Sequence, residues 1–320
     1  MRLQRSLEPL PPGHTGYVAT IGGFDGLHRG HRVLIDRAIA RARTAGMAGM
    51  VITFEPLPRE FFSRTDPPAR LTTFRERWRL LEVGGPDVLC VLHFSRQLRN
   101  LSATEFAMAL TRAGVRQLII GHDFRAARDG YATAEWFQNE GPQLGLQIDV
   151  VPPVTEAALR ISSRAVRAAL ACGDLDQARA LLGRRYSMIG RVIPGQKLGR
   201  KLGFPTANLR LGRRRAPMGG IFAVRVRGVG HGHAPERALP GVASLGTRPT
   251  VGGTVPLLEA HVFEFDGDLY GREIEVEFVA RLRDEHRFDT VDAMVEQMHR
   301  DAADAREMLA RASDLSVRNG

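Results

Sequence analysis

The sequence contains few cysteines and no long apolar run, and each scarcity excludes a class of protein. Cys90 and Cys172 are the only cysteines in 320 residues and form no CxxC pair, so neither a disulfide scaffold nor a zinc site is expected. No apolar stretch approaches the ~18 residues of a membrane-spanning helix, and the N-terminus MRLQRSLEPLPPGH lacks the apolar core of a signal peptide. We therefore expect a cytoplasmic protein with no membrane partner.

Lysine is also scarce, although the chain is strongly basic. Lys197 and Lys201 are the only lysines among 45 basic residues, and the net charge is +10. Apart from the run Arg213–Arg215, the arginines are scattered, whereas nucleic-acid-binding surfaces concentrate basic residues on one element with interleaved aromatics. We expect small anions rather than nucleic acid as partners. An RNA-binding or regulatory role is the alternative that the arginine run supports.

The length and the globular composition predict two domains, the first of them α/β. In the first half, apolar runs typical of strands alternate with helical periodicity, which predicts parallel βαβ units. The expected strands are Tyr17–Ile21, Met50–Phe54, Val88–Leu92, Gln117–Gly121 and Leu146–Val151. The expected helices are His31–Ala45, Thr73–Glu82, Ala103–Ala113, Ser163–Ala171 and Leu175–Leu182. This order predicts a doubly wound parallel sheet with ligands at the carboxyl ends of its strands.

From about residue 185 the pattern changes to short β-type runs separated by glycine and proline. The expected strands are Tyr186–Ile193, Ile221–Val229, Gly241–Leu245, Leu258–Phe265 and Glu273–Phe278. Closely spaced strands with few helices predict a small antiparallel β-barrel, and an amphipathic helix at about Val291–Ala312 would cover one side of it. We place the boundary near Gly183, which gives domains 1–183 and 184–320.

The first motif with chemical meaning runs from Gly22 to His31, between a predicted strand and a predicted helix. Its glycines allow the backbone to approach a bulky ligand, and the start of a helix attracts phosphate. His28 and His31 would lie on one face of the first helical turn, where two imidazoles can donate hydrogen bonds to an α-phosphate. Capping histidines in a glycine-rich turn are the structural alternative, but the HxGH spacing favours nucleotidyl transfer.

The second motif is the string GRKLGFPTAN, from Gly199 to Asn208. Thr206 and Asn208 carry oxygen donors two residues apart. On an extended segment both project to the same face and can reach one Mg²⁺–nucleotide complex. A Pro-Thr-Ala-Asn turn is the structural alternative.

Further segments support a family resemblance. In the first half they are Thr53–Pro56, Pro58–Phe61, Gly121–Arg125 and Ile161–Ser163 with Arg167; in the second half they are Gly246–Thr250, Glu259–His261, Asp266–Gly271 and Leu282–Glu285 with Phe288. With the two motifs, and in the same order, they resemble the bacterial bifunctional riboflavin kinase/FAD synthetase family over about residues 15–312. The resemblance implies an N-terminal FMN adenylyltransferase module and a C-terminal riboflavin kinase barrel.

For the first module, the resemblance implies that His28 and His31 stabilise the transferring AMP group and that Phe124 contacts the flavin. Ser163 and the catalytic Arg167 are expected on the triphosphate. The expected nucleotide-binding residues are Gly22, Phe24, Gly30, Asp123 and Ser163. A helix N-cap is the structural alternative for Ser163, and both roles are compatible.

For the second module, the resemblance makes Glu259 the general base that takes the proton of the riboflavin 5′-hydroxyl. A solvent-facing strand residue is its structural alternative. The other implied residues are Gly199 and Lys201 on the nucleotide, Thr206 and Asn208 on Mg-ATP, and Arg283 on the flavin. His261 is expected to be structural, and Asp266–Asp268 to form a hairpin turn rather than a metal site.

Two departures from the family pattern leave an alternative open. Where the family usually has Asp-Phe-x-Phe-Gly, this chain has Asp123–Ala127 with the sequence DFRAA, and Arg164 replaces a usual threonine. We expect an enzyme that phosphorylates riboflavin to FMN and adenylylates FMN to FAD, with ATP as co-substrate and Mg²⁺ as the metal. A riboflavin kinase with a degenerate adenylyltransferase half is the alternative.

Overall fold

The computed structural model describes residues 1–63, 65–156, 159–195, 199, 202–229, 238–250 and 253–317. They form two compact units. The first comprises Met1–Pro68 and Phe74–Ser162, and the second comprises Ala69–Thr73 and Ser163–Gly320. The chain therefore enters the second unit briefly at Ala69–Thr73 before it completes the first.

The first unit contains an all-parallel sheet of six strands in its described part, in the order β1-β4-β3-β2-β5-β8. These strands are β1 (Arg2–Gln4), β2 (Tyr17–Ile21), β3 (Ala48–Glu55), β4 (Val88–His93), β5 (Val115–Gly121) and β8 (Gln147–Val151). Two short pairs lie outside the sheet: β6 (Arg125–Ala126) with β7 (Ala132–Thr133), and β9 (Thr155–Glu156) with β10 (Leu159–Arg160). The predicted doubly wound fold is confirmed.

Helices connect these strands. They are α1 (Arg29–Thr44), α2 (Pro58–Phe62), α3 (Phe74–Glu82), α4 (Arg96–Asn100), α5 (Ala103–Arg112) and α6 (Ala134–Glu140). The central strand β2 is buried along all five residues, as expected for a parallel strand covered on both faces. Helix α1 buries Ile35, Ala38, Ile39 and Ala42 at helical spacing. Because β2 and α1 are both anchored in this way, the loop between them is held at the carboxyl edge of the sheet.

The second unit begins with two helices, α7 (Ser163–Ala171) and α8 (Leu175–Leu182), and continues as a closed antiparallel barrel in the order β11-β12-β15-β14-β13-β16. Its strands are β11 (Ser187–Ile193), β12 (Ala207–Arg210), β13 (Gly220–Arg227), β14 (Leu239–Thr250), β15 (Gly253–Val262) and β16 (Glu273–Arg283). The terminal helix α9 (Val291–Val317) buries Ala302, Ala305 and Leu309 in one cluster with Phe204 and Phe263. The predicted barrel with a terminal helix is confirmed.

The segment Ala69–Thr73 is fixed within the second unit by two buried polar side chains. Tyr186 Oη donates to the carbonyl of Leu71 at 2.8 Å, and Arg213 Nη1 donates to Tyr186 Oη at 2.9 Å. Arg213 Nη1 also lies 3.3 Å from each of the carbonyl oxygens of Arg70 and Leu71. Since Arg213 is only 8% exposed, the run Arg213–Arg215 is not a continuous exposed basic patch.

The compact units divide the chain at Ser162, about twenty residues before the predicted boundary. Helices α7 and α8, which we assigned to the first domain, are grouped with the barrel. A division at residues 183 and 184 stays a prediction about the functional modules. Strand β1 and helix α6 were not predicted, because neither short segment has a clear hydrophobic period.

Candidate active sites

The first candidate site lies at the start of α1. The imidazole rings of His28 and His31 are stacked, with centroids 3.5 Å apart and an interplanar angle of 17°. His28 is the N-cap of α1, and its Nδ1 accepts a hydrogen bond from the backbone N–H of His31 at 3.2 Å. The capping interpretation of His28 therefore holds. Because Nδ1 is the acceptor, the proton of neutral His28 resides on Nε2, which leaves that atom as a donor.

His31 is held in its neutral form. Burial, the neighbouring His28 and the cation of Arg77 lower the pKa of His31 well below its ordinary value of 6.5. Its Nδ1 is buried and makes no hydrogen bond within the described part of the chain. Phe24 contacts the ring edge to face at 5.2 Å. At neutral pH His31 is therefore uncharged, and its ring lies against that of His28 at the N-terminus of α1.

The glycines of this loop allow the rings to pack. A Cβ on Gly22 would lie 3.3 Å from the Phe24 ring, and a Cβ on Gly30 would lie 3.2 Å from Nδ1 of His28. Phe24 itself is 1% exposed and has a positive φ of 47°. Gly22, Phe24 and Gly30 thus shape the loop around the histidines, and their contact with nucleotide stays a prediction.

Asp123 and Phe124 follow β5 at the same edge of the sheet. Asp123 forms an ion pair with Arg160, and its side chain is 60% exposed. Phe124 packs against Phe137 with ring centroids 5.8 Å apart. Close by in the chain, Ala127 has φ 62° and ψ −170°, a conformation that suits glycine far better than alanine. The departure from the family pattern therefore places a strained alanine where the family usually has glycine.

Ser163 and Arg167 lie on α7, in the second unit. Arg167 donates through Nε to the carbonyl of Ala69 at 2.6 Å and through Nη1 to the carbonyl of Ser163 at 3.2 Å. These contacts secure α7 to the segment Ala69–Thr73. The predicted triphosphate contacts of both residues stay predictions.

The second candidate site is a cavity of about 500 Å³ in the barrel unit. Five residues predicted from the sequence line it: Gly199, Thr206, Asn208, Glu259 and Arg283. Lys201, the sixth, lies outside the described residues. The lining also includes the apolar residues Leu202, Ile221, Val242, Leu257, Phe288, Met294 and Met298. The structure thus brings together the five predicted residues, which are up to 84 positions apart in the sequence.

The polar part of the cavity is organised by strand register. Asn208 of β12 is paired with Glu259 of β15, which is paired in turn with Ser244 of β14. Asn208 is 8% exposed, and a Cβ on Gly195 would lie 2.4 Å from its Nδ2, so a larger residue at 195 would displace the amide. The amide of Asn208, the carboxylate of Glu259 and the hydroxyl of Ser244 therefore lie on neighbouring strands that line one cavity.

Arg283, the predicted flavin-binding residue of the barrel, connects the last strand to the terminal helix. Its Nε and Nη2 donate to the two carboxylate oxygens of Asp301 on α9, and its Nη1 donates to the carbonyl of Asp284 at 2.8 Å. The guanidinium also lies over the Phe288 ring, 5.8 Å from its centroid. Arg283 thus joins barrel, helix and cavity wall, and its flavin contact stays a prediction.

Several cavity residues were not singled out from the sequence. Ser244 donates to Oε1 of Glu285 at 3.1 Å, and Asp301 is 4% exposed. Glu285 belongs to the family-like segment Leu282–Glu285, from which it could have been predicted, whereas no sequence motif points to Ser244 or Asp301. His261 also lines the cavity, and its Nδ1 lies 2.9 Å from the carbonyl oxygen of Pro205, in keeping with the structural role expected for it.

Comparison with known proteins identifies the family. Residues 182–309 match the riboflavin kinase family model and residues 10–165 match the FAD synthetase model. A bifunctional riboflavin kinase/FMN adenylyltransferase of Pseudomonas fluorescens is 42% identical over 313 residues, covering 97% of this chain and 98% of its own length. The enzyme of the same name from Escherichia coli K12 is 41% identical over 312 residues, with coverages of 96% and 97%. The chain belongs to this bifunctional family.

The family likeness extends to the fold. A crystal structure described as a macrolide-efflux protein from Streptococcus pneumoniae superposes with a TM-score of 0.78 at 30% identity, covering 93% of this chain and 96% of that one. Within the described residues of this family member, no helix is long and apolar enough to cross a membrane. The cytoplasmic location expected from the sequence stays a prediction.

Proposed function

We propose that the chain makes FAD from riboflavin in two ATP-dependent steps, one at each candidate site. It has riboflavin kinase and FMN adenylyltransferase activities, as its two family models and its bifunctional relatives indicate. The kinase transfers the γ-phosphoryl group of ATP to the 5′-hydroxyl of riboflavin. The adenylyltransferase transfers AMP from a second ATP to the phosphate of FMN and releases pyrophosphate.

The pairing of Asn208 with Glu259 in the barrel cavity is the observation that carries the assignment of the kinase step. Glu259 is the proposed general base: its carboxylate accepts the proton of the riboflavin hydroxyl as the hydroxyl oxygen attacks the γ-phosphorus. Such a base contributes about 10²- to 10⁴-fold to the rate. The apolar residues of the lining, which include Leu257, Phe288 and Met298, provide a surface for the flavin ring system.

Thr206 and Asn208 are the proposed ligands of the Mg-ATP complex. In the described residues no three His, Cys, Asp or Glu side chains are grouped so that they could hold a metal. The side-chain oxygens of Thr206 and Asn208 suit Mg²⁺, because this ion keeps several waters and is bound largely through substrate phosphates with few protein oxygens. When bound, the ion neutralises charge on the phosphates. Gly199, which also lines the cavity, is the proposed backbone contact of the nucleotide.

The stacked histidines carry the assignment of the adenylyl-transfer step. In the proposed reaction, Nε2–H of His28 donates to an oxygen of the α-phosphate, where negative charge increases in the transition state. His31, neutral at physiological pH, lies beside it and supports the same oxygen. The N-terminus of α1 adds its partial positive charge. In the same unit, Asp123 is a proposed nucleotide contact and Phe124 the proposed flavin contact. Ser163 and Arg167, on α7 of the second unit, are each a proposed contact of the triphosphate.

Product formation from each flavin separately tests this assignment. Purified protein is given riboflavin with Mg-ATP, or FMN with Mg-ATP, and FMN and FAD are quantified by liquid chromatography. We expect FMN from the first mixture, followed by FAD, and FAD directly from the second. Absence of FAD from FMN in folded protein would support the kinase-only alternative.

Two substitutions test the division between the sites. Glu259→Gln should reduce FMN formation at least 100-fold and leave FAD formation from FMN unchanged. His28→Ala should have the opposite effect. Each variant is the control for the other, since the unaffected reaction reports that the chain has folded. Loss of both reactions in either folded variant would contradict the two-site assignment.

A further inference from the structure

Arg77 is a buried cation in the first unit for which the proposed mechanism has no role. It lies on α3 and is 1% exposed. Among the fully buried residues in the described part of the chain, it is the largest by volume. Its Nη1 donates to the carbonyl of Gly23 at 2.8 Å and to Oγ1 of Thr53 at 3.2 Å, and its Nη2 is paired with the carboxylate of Glu55. One side chain thus joins α3 and β3 to the glycine-rich loop after β2.

Two of these contacts of Arg77, to Gly23 and to Thr53, involve the Gly23 carbonyl directly or through a neighbour. Thr53 Oγ1 also donates to the carbonyl of Gly23, at 3.3 Å, so two donors hold a single carbonyl oxygen. Because the carbonyl and the N–H of a trans peptide point in opposite directions, this arrangement directs the N–H of Phe24 away from Arg77. Gly23 lies five residues before His28. The position of the loop that leads to the histidine pair is therefore set by the guanidinium.

The charge of Arg77 also acts on His31. Of the charged groups that influence His31, His28 belongs to the same helical turn and Arg77 to α3, and both lower its pKa, after the larger effect of burial. The Glu55 carboxylate that pairs with Arg77 is partly exposed, at 32%, so water screens its charge more than that of the guanidinium. A positive potential that disfavours imidazolium also favours a phosphate at the same place.

We propose that Arg77 is a positioning residue for adenylyl transfer, which fixes the Gly23 carbonyl and supplies a buried positive charge at the glycine-rich loop that leads to the histidine pair. This inference rests on the proposed function of the first site. The positive charge would stabilise the triphosphate of the nucleotide, whose α-phosphate gains negative charge during the reaction. Arg77 does not need to touch it, because a charge in a dry interior acts over several ångströms.

The variants Arg77→Met and Arg77→Lys separate charge from side-chain volume. Arg77→Met keeps a long apolar stem and removes the cation; we expect kcat for FAD formation from FMN to fall at least tenfold and the pKa of His31, measured by NMR, to rise. Arg77→Lys restores the cation and a donor for Gly23, so it should recover most of kcat and keep the pKa of His31 low. If the role of Arg77 were purely structural, kcat and the pKa of His31 would not change together in the two variants.

Folding is monitored separately from activity. Both tryptophans, Trp78 and Trp136, lie in the first unit, so their fluorescence reports the folding of that unit alone. Arg79→Met is the matched control, since Arg79 lies two residues away on α3 with an exposed side chain, and it should leave kcat unchanged. If Arg77→Met does not fold, Thr53→Val, which removes one of the two donors to Gly23, replaces it, with an expected threefold or larger decrease in kcat.

The outcomes distinguish this inference from the proposed function. A wild-type enzyme that makes no FAD from FMN would contradict the proposed function of the first site. A wild-type enzyme that makes FAD, together with a folded Arg77→Met variant of unchanged kcat, would overturn the role of Arg77 alone. If Thr53→Val is used instead, a folded variant with unchanged kcat would also overturn the role of Arg77.

Discussion

Arg283 and Asp301 connect the last barrel strand to the terminal helix through two parallel hydrogen bonds. Nε of Arg283 lies 2.9 Å from Oδ1 of Asp301, and Nη2 lies 2.7 Å from Oδ2. Gln297, one turn earlier on α9, donates a further hydrogen bond to Oδ1 at 2.9 Å. Both carboxylate oxygens are thus engaged, which fixes α9 in one register against β16. The cavity wall contributed by Met294 and Met298 depends on that register.

We expect Asp301→Asn to lower the free energy of unfolding of the barrel unit by about 2 kcal/mol. The substitution leaves the Arg283 charge without a carboxylate partner, and the loss stays below that of a fully buried pair because the Arg283 side chain is 23% exposed. Urea unfolding followed by circular dichroism measures the effect. The KM for riboflavin should rise severalfold, since the helix that lines the cavity is less well held.

Asp292→Asn is the matched control for this prediction. Asp292 lies in the first turn of the same helix with an exposed side chain, so its neutralisation should change stability by less than about 0.5 kcal/mol. Tryptophan fluorescence, which reports the first unit, should be unaffected in both variants. Equal stability of the Asp301→Asn and Asp292→Asn proteins would contradict the role given to the ion pair.

The sequence was sufficient for those parts of each site that lie close together in the chain. His28 and His31 are three residues apart, and Thr206 and Asn208 are two, so secondary structure alone determines their relative placement. Asp301 could not be predicted, because an aspartate on an amphipathic helix usually faces solvent and only its pairing with Arg283 buries it.

Buried arginines illustrate the same limit. Arg77 and Arg213 look like ordinary surface charges in the sequence, yet they are 1% and 8% exposed. Their burial depends on carbonyl groups of Gly23 in one case and of Leu71 in the other, which tertiary packing brings into reach. Composition therefore described the arginine excess without indicating which arginines have a structural role.

We expect Ala127→Gly to stabilise the first unit by about 1 kcal/mol. Ala127 has a φ of 62° with an extended ψ, where a Cβ is strained and glycine is not. The strain energy that the substitution removes from the folded protein should exceed the stability lost because glycine raises the entropy of the unfolded chain. Urea unfolding followed by tryptophan fluorescence measures the change. Ala126→Gly, in the adjacent strand β6, should instead destabilise the unit, and stabilisation by both or by neither would contradict the argument.

We expect the two cysteines to differ in reactivity towards a thiol reagent. Cys90 is buried, its Sγ lies 3.4 Å from the carbonyl oxygen of Ser6, and burial, with a smaller effect of Glu8, raises the pKa of its thiol to about 12. Because the thiolate is the reactive form, native protein should react rapidly at one thiol, that of the exposed Cys172, and at both in urea. Native Cys172→Ser protein should not react, and rapid reaction of that variant would show that Cys90 is accessible.

We expect the stability of the first unit to decrease as the pH falls below about 6.5. Since the pKa of His31 in the folded protein lies well below the ordinary value of 6.5, the unfolded chain binds this proton first, and protonation favours unfolding. The decrease is at most about 1.4 kcal/mol per pH unit for one group, and it ends once folded His31 is itself protonated. Above this range His31 contributes no pH dependence.

Urea unfolding of wild type and His31→Asn at several pH values between 5 and 8, followed by tryptophan fluorescence, measures this difference. The variant should show a smaller loss of stability below pH 6.5, because it lacks the group that only the unfolded chain protonates. His14→Asn removes an exposed histidine from the same unit and controls for the loss of an imidazole as such. Identical pH dependence in wild type and His31→Asn would show that His31 is not held neutral, and the neutral state proposed for His31 in adenylyl transfer would then be wrong.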